Sequence, residues 1–224
     1  MTLEVGASSQ PRAVQPVATP HALAHESRDR EQLLVQRAIA GDREAFGSLY
    51  ERSVDDVYSY VKLRVRDGLL AEDLTQDVFL RALRALDTFE WRGSLLPWLI
   101  RIAHNRIANH WRTVGRSPRL LPLPDDDPTP AQPELADPQA NFAHDLALMP
   151  RDFEQHVARL TELQREVIAL RFGAGLSLAE TADLMGRTTN AVKNLQHNAL
   201  AALRRRLGLG RGDAGLAGGH EGAA

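Results

Sequence analysis

The sequence contains no cysteine, which excludes disulfide bonds and any zinc site built from thiolate ligands. It also lacks an apolar run near the roughly 18 residues that a membrane-spanning helix needs. The first residues do not combine a basic start with an apolar core, as a signal peptide would. These absences predict a cytoplasmic protein without direct membrane insertion.

Motifs for catalysis are missing as well. The chain has no HExxH zinc motif, no Gly-rich phosphate loop and no Ser/His/Asp arrangement. His104 and His110 do not share a helix face, and the three aspartates at 125–127 lie in a Pro-rich context that offers no preformed cation site. We therefore expect no catalytic residue, no metal, no cofactor and no enzymatic activity.

The formal net charge of −2 argues against a nucleic-acid-binding protein, but this average conceals a segregation of charge. Residues 101–119 contain arginine and no acid, whereas residues 120–150 contain acid and neither Lys nor Arg. Residues 187–211 are again basic and free of acid. Two basic segments that flank an acidic one are compatible with nucleic-acid binding despite the total.

The N-terminal half has apolar residues at helical spacing. We expect order to begin near residue 31, and Asp42 to cap a long helix that the Asp-Gly pair at 67–68 ends. A third helix is predicted over residues 71–86, and Ser94 is expected to cap a fourth. Since no segment shows the alternation of a strand, the predicted fold class is all-α.

Residues 160–207 carry the clearest helix boundaries in the chain. The segments 161–164 and 177–180 both match the capping box, in which the cap residue and the third helical residue satisfy each other's amide groups. Gly186 predicts a tight turn, after which Thr188 can cap the last helix. The last two helices therefore have the spacing of a helix-turn-helix.

The last helix is expected to read DNA. Its short polar and amide side chains can reach base edges, while Lys193 and Arg204 can contact phosphates. The alternative is an ordinary helical hairpin with a solvated basic face. Buried contacts between the two helices are predicted for Ala182, Met185, Val192 and Leu195, and outward positions for Thr189, Asn190, Lys193, Asn194 and His197.

Two features of the N-terminal half remain open at this level. Trp91, in a polar loop before the basic fourth helix, is either a platform for an unstacked base or a packing residue, whereas Trp98 and Trp111 are expected to be core. The face of the third helix is either only solvated or meets a basic protein partner, because bases do not lie against paired carboxylates. Its members are Asp73, Gln76 and Asp77.

Composition divides the chain into five segments. Two helical domains are predicted, joined by a flexible linker that is rich in Pro and Asp. The predicted boundaries are 1–28 for a disordered extension, 29–114 for the first domain, 115–151 for the linker, 152–209 for the second domain and 210–224 for a disordered tail.

Three motifs in this order resemble bacterial sigma factors of the extracytoplasmic-function (ECF) type. They are AEDLTQDVFLRAL, then the pattern F-x-W-R-G-S-x-x-P-W-L-x-R-I-A-H-N, then LTELQREVIALRF followed by the helix-turn-helix. The resemblance covers about residues 30–114 (region two) and 152–207 (region four). It implies that the chain binds core RNA polymerase and promoter DNA, helps to open the DNA, and has an anti-sigma factor as a further candidate partner.

The resemblance also assigns residues to each interface. Asp73, Gln76 and Asp77 would bind core polymerase. The minus-ten element would be held by Trp91, Arg92, Ser94, Arg101, Asn105, Arg106 and Asn109. The minus-thirty-five element would be read by Thr189, Asn190, Lys193, Asn194, His197 and Arg204. Leu195 and Gln196 depart from the frequent Arg-Leu of the family, so the faces of the last helix are expected to be slightly rotated.

The sequence thus supports a promoter-specificity subunit without catalysis of its own. The alternative is a stand-alone helix-turn-helix transcriptional regulator whose N-terminal bundle senses a partner or ligand. A metal-dependent nuclease is a more distant third hypothesis.

Overall fold

The computed structural model describes residues 20–115 and 153–207, and within these ranges every regular element is helical, as the all-α prediction requires. The predicted linker and tail, and most of the predicted N-terminal extension, lie outside the described residues. The elements are α1 (Pro20–Ile39), α2 (Arg43–Val65), α3 (Gly68–Ala85), a 3-10 turn (Leu86–Thr88), α4 (Leu96–Thr113), α5 (Phe153–Ala158), α6 (Glu162–Ile168), a π-helical turn (Ala169–Gly173), α7 (Leu178–Met185) and α8 (Thr189–Arg206).

Helix α2 is the centre of the first domain, since it packs against α1, α3 and α4. Asp42 begins this helix as predicted, accepting hydrogen bonds from the amides of Glu44 and Ala45 at 3.0 and 3.1 Å. Its buried stripe includes Val57, Tyr60 and Val61. Helix α1 begins earlier than the sequence indicated, so residues that were expected to belong to the N-terminal extension are helical.

The junction between α2 and α3 differs from the prediction. Arg66, rather than a glycine, takes the left-handed conformation after α2, with φ of 64°. Gly68 is the first residue of α3, which Asp67 caps by accepting a hydrogen bond from Leu70 N at 3.1 Å. The Asp-Gly pair therefore starts the next helix and does not end α2. Asp is favoured at the N-cap of a helix, just as Gly is favoured after its C-cap, so the pair is compatible with either position.

Replacing Arg66 with Gly should raise the free energy of unfolding by about 0.5–1 kcal/mol, because glycine adopts a left-handed backbone without the cost that a Cβ imposes. Thermal or urea unfolding measures the change. The same substitution at exposed, helical Arg84 is the control and should lower stability by about 1 kcal/mol. A loss of stability in both variants would contradict the conclusion that the left-handed backbone of Arg66 is unfavourable for a residue with a Cβ.

The start of α4 was also predicted incorrectly in detail. Leu95, not Ser94, is the N-cap residue, and it has no side-chain cap. The backbone amide of Leu95 instead donates to the Glu31 carboxylate of α1 at 2.8 Å, while Ser94 Oγ accepts from Leu96 N at 3.3 Å. A distant carboxylate thus takes the role that a local serine was expected to fill.

The second domain follows its sequence signals closely. Both capping boxes form, at Thr161 with Gln164 and at Ser177 with Glu180. Gly186 ends α7 in the left-handed conformation, with φ of 64°, and Thr188 caps α8 by accepting from Ala191 N. The helix-turn-helix predicted between these points is therefore present.

The core of this domain confirms the predicted contact between α7 and α8 with one addition. Ala182 and Val192 are buried, and Met185 and Leu195 are partly buried against the same core. Gln196 is also buried, where its side-chain oxygen accepts a hydrogen bond from the buried Arg171 at 2.9 Å. This polar pair is satisfied internally, since a buried guanidinium requires an acceptor, and the predicted faces of α8 are otherwise unchanged.

The two domains pack directly against each other. Ala169, Leu170, Ala174 and Leu176 of the second domain belong to the same buried cluster as the core of the first domain. Gly173 permits the close approach, because a Cβ at this position would lie 3.3 Å from the backbone N and Cα of Tyr60 on α2. The close contact between the π-helical turn and α2 therefore depends on the missing side chain of this glycine.

Candidate functional site

Helix α8 presents the face that was expected to read DNA. Its polar residues are solvent-exposed along one side of the helix, and no acidic residue occurs in the helix. A base edge or phosphate can therefore approach without repulsion from a carboxylate of α8. The exposed residues include Thr189, Asn190, Lys193, Asn194, His197 and Arg204, which are the six that the sequence suggested for the minus-thirty-five element.

Replacing Lys193 with Ala should weaken binding to the upstream DNA element and lower the slope of log K against log salt by about one unit, because one phosphate contact is lost. Fluorescence anisotropy at several salt concentrations measures both quantities. The half-buried capping-box residue Glu180 of α7, changed to Gln, is a control that alters the net charge in the same region by one unit in the opposite direction. An unchanged slope in Lys193→Ala would mean that this side chain contacts no phosphate.

Helix α4 has a second exposed polar face. Arg101, Asn105 and Asn109 are exposed at successive turns, and Arg112 continues the same face. Arg106 lies on a different side and forms an ion pair with Asp77 of α3. The charge of this arginine, which the sequence suggested for the minus-ten element, is thus directed into its own domain.

The loop before α4 places its aromatic rings against the first domain. The ring of Phe89 contacts that of Trp91 edge-on, with the ring centroids 6.3 Å apart, and its centroid lies 5.1 Å from the ring centroid of Trp98. Trp91, Trp98 and Trp111 are all half-buried against the core. Trp98 and Trp111 therefore pack as expected, and Trp91 combines a packed side with an accessible one. Arg92 is exposed beside it, and Ser94 is half-buried.

Helix α3 carries an exposed stripe that the sequence analysis recognised only in part. Asp73 and Gln76 are exposed, and three leucines lie on the same face at helical spacing. Leu69 is 77% exposed, Leu80 54% and Leu83 51%. The repeat of positions 69, 73, 76, 80 and 83 was a visible signal, but the sequence analysis used only its polar members. An apolar patch flanked by a carboxylate and an amide is typical of a protein-binding surface.

Asp77, the third residue suggested for polymerase binding, is half-buried at the edge of this stripe. Partial burial opposes its ionisation, but the hydrogen bond from Arg81 and the charge of Arg106 outweigh this effect and lower its pKa. Asp77 therefore stays ionised at neutral pH, and its ion pair with Arg106 joins α3 to α4. It thus borders the exposed stripe of α3 and also fixes the position of this helix.

A buried ionic cluster joins the domains, and sequence reasoning did not find it. Arg64 Nη1 lies 2.7 Å from Glu162 Oε1, and Arg64 Nη2 lies 3.7 Å from Glu166 Oε2. His104 Nδ1 is 2.8 Å from Glu166 Oε1 and 3.3 Å from the Tyr60 hydroxyl. These side chains come from α2, α4 and α6, which are far apart in sequence, so no local pattern could have indicated them.

Charge compensation keeps the Glu166 carboxylate of this cluster ionised. Burial alone would raise the pKa of Glu166, but the adjoining His104 ring and the charge of Arg64 outweigh burial and lower the pKa. The carboxylate contributes to the packing at neutral pH, and this contribution is lost only as the pH falls through the lowered pKa. Within the described ranges, no group of His, Asp and Glu side chains could hold a metal ion, and no helix is long and apolar enough to cross a membrane.

Comparison with known proteins assigns the family. Residues 49–117 match the model of sigma-70 region 2, and residues 157–205 match that of sigma-70 region 4. The chain is 38% identical over 175 residues to the ECF RNA polymerase sigma factor BldN of Streptomyces coelicolor, an alignment that covers 78% of this chain and 64% of BldN.

A second relative agrees with this assignment, and a solved structure has the same fold. The ECF RNA polymerase sigma factor SigD of Mycobacterium tuberculosis is 35% identical over 188 residues, which cover 79% of this chain and 83% of SigD. The sigma factor RpoE from Bartonella quintana, solved in complex with the anti-sigma factor NepR, has the same fold, with a TM-score of 0.56 and 24% identity over 74% of this chain and 98% of that one. The chain belongs to the ECF family of RNA polymerase sigma factors.

Proposed function

We propose that this chain is a promoter-specificity subunit that binds core RNA polymerase, directs it to particular promoters and helps to open the DNA. The observation that carries the proposal is the presence of two separate exposed polar faces, on α4 and α8, together with the exposed stripe of α3. The first two suit DNA, and the third suits a protein. The chain performs no catalysis of its own and acts in the cytoplasm.

Each face has a distinct role in this proposal. Asp73, Gln76 and the α3 leucines contact polymerase, with Asp77 fixed beside them by its ion pairs. Arg92, Ser94, Arg101, Asn105 and Asn109 border the unwound minus-ten strand, and Trp91 stacks on a base of it. The exposed residues of α8 read the minus-thirty-five duplex, with amide side chains on bases and the basic side chains on phosphates.

The alternative, a stand-alone helix-turn-helix regulator, makes opposite predictions about DNA binding. A labelled duplex from a genomic selection is titrated with the chain alone and with the chain plus core polymerase. The proposal requires polymerase for tight binding, and Asp73→Ala should weaken the ternary complex. Tight binding without polymerase, unaffected by Asp73→Ala, would favour the regulator instead.

An inhibitory protein is a further partner under this proposal. Support comes from the fold that the chain shares with RpoE, which was solved bound to the anti-sigma factor NepR. Co-purification from the native cell under mild conditions should recover polymerase subunits and any such inhibitor. Recovery of neither would leave the chain without the partners that the proposed function requires.

A further inference from the structure

Glu31 of α1 holds the loop that precedes α4 from a distant part of the chain. Its carboxylate oxygen Oε1 accepts hydrogen bonds from the backbone amide of Leu95 at 2.8 Å and from the hydroxyl of Ser94 at 3.4 Å. Leu95 is only 2% exposed, so the carboxylate takes the place that water would fill at an open helix end. The end of the loop that leads into α4 is therefore fixed by a side chain of another helix.

The loop over residues 89–95 has little support of its own. It contains no helix or strand, and the ion pair between Glu90 and Arg92 contributes little because 79% and 82% of the two side chains are exposed. Gly93 has a left-handed backbone with φ of 99°, which glycine adopts without steric cost. The position of the loop therefore depends on contacts at its two ends.

Each end of the loop is held by a different element. At the first end, the ring of Phe89 packs against that of Trp98 on α4, with the ring centroids 5.1 Å apart. At the second end, the Glu31 carboxylate of α1 holds the residues that lead into α4. Trp91 lies between these two supports, so the loss of either one would allow its indole to change position.

We propose that Glu31 is a positioning residue for promoter opening, and that it acts on the minus-ten strand through the loop that carries Trp91. The inference rests on the proposed function, in which Trp91 stacks on a base of the unwound strand. A loop that is fixed in advance loses less conformational entropy when a base binds to it, so the anchor favours the opened complex. Helix α1 then takes part in opening, although none of the residues that the sequence suggested for the minus-ten element lies on it.

A polar cleft of about 170 Å³ borders Glu31 and gives a released loop room to move. Arg52, Ser53 and Asp56 of α2 line this cleft together with Ser94. Truncation of Glu31 to Ala would enlarge the cleft and change packing as well as hydrogen bonding. Met has nearly the same length as Glu and no strong acceptor, whereas Gln keeps an acceptor oxygen and loses only the charge.

Glu31→Met and Glu31→Gln therefore separate the hydrogen bonds from the charge and the packing. Each full-length variant is combined with core polymerase, and open-complex formation is timed on a duplex promoter that gives chain-dependent run-off transcripts. The same promoter with an unpaired minus-ten region is the second template. Glu31→Met should slow opening of the duplex by about tenfold, as expected for a lost hydrogen bond to a charged acceptor, and should have little effect on the unpaired template. Glu31→Gln should recover most of the rate.

Glu26→Met is the matched control on the same helix. Its side chain is 56% exposed, and it pairs with Arg30 rather than with the loop, so this variant should open the duplex at the parent rate. Glu31→Asp keeps the charge but is one methylene shorter, and it should behave like Glu31→Met. It repeats the test if Glu31→Met lowers the yield of folded protein.

A double-mutant cycle with Trp91→Ala shows whether Glu31 acts through the loop. If it does, Glu31→Met should slow opening by about twofold at most in a chain that already carries Trp91→Ala. Equal losses with and without the indole would overturn the proposal, because a general loss of stability acts in both backgrounds.

Amide hydrogen exchange of the full-length chain adds a measurement that is independent of transcription. The Leu95 amide should be protected in the parent and in Glu31→Gln, and it should exchange about tenfold faster in Glu31→Met. Unchanged protection in Glu31→Met, or opening at the parent rate, would overturn the proposal. Failure of the proposed function gives a different pattern, since the parent chain itself would then form no open complex with core polymerase.

Discussion

Replacement of Leu80 with Lys should lower the affinity for core RNA polymerase by about 30-fold or more. Leu80 is 54% exposed at the centre of the α3 stripe, between Gln76 and Leu83. A well-packed apolar residue at the centre of a protein interface typically contributes about 2 kcal/mol or more, which corresponds to about 30-fold in affinity. The introduced ammonium would add repulsion, because the neighbouring Asp73 is expected to face a basic partner.

The control for this variant is Leu33→Lys. Leu33 is exposed to a similar extent, 57%, but it lies on α1 rather than on the stripe. Affinity is measured by competition between the unlabelled variant and the labelled parent chain for core polymerase. Equal losses in the two variants would indicate a general effect of the added charge, and no loss in Leu80→Lys would exclude the stripe as the docking surface.

Trp91→Ala should impair promoter opening by about 1–3 kcal/mol, which is about 5- to 150-fold, if one base of the melted strand stacks on the indole. Binding to duplex DNA at the minus-thirty-five element should be unchanged, since α8 is distant from this loop in sequence and lies in the other domain. Transcription from a supercoiled template and from a template with a pre-melted minus-ten region separates opening from later steps.

Trp91 also has a structural role in the first domain. Trp91 packs partly against the core and against Phe89, so truncation also removes packing. Trp91→Phe retains an aromatic face and should recover most of the opening activity, whereas Trp91→Leu retains only apolar volume and should not. Activity equal to the parent on both templates in Trp91→Ala would return this residue to a purely structural role.

Local signals in the sequence predicted local structure well. The cap at Asp42, both capping boxes and the turn at Gly186 depend on residues within four positions of one another, so their geometry is encoded where it occurs. The exposed face of α8 followed from the same boundaries. These elements are the ones that define the helix-turn-helix.

Features that depend on distant residues were not predicted. Glu31 caps α4 from another helix, and Gln196 is buried because Arg171 requires an acceptor there. The cluster of Arg64 with Glu166 joins two domains whose relative position leaves no periodic trace in the chain. The exposed leucines of α3 were not recognised as a surface for a related reason, since apolar periodicity alone does not distinguish a core face from a docking face.

Run-off transcription tests most directly whether this chain gives promoter specificity to RNA polymerase. Core polymerase is incubated with genomic templates in the presence and absence of the chain, and transcript ends are mapped. We expect transcripts that start at fixed positions only when the chain is present, and Leu80→Lys should strongly reduce their yield at limiting concentrations of the chain. The absence of chain-dependent transcripts from every template of a genome-wide set would contradict the account.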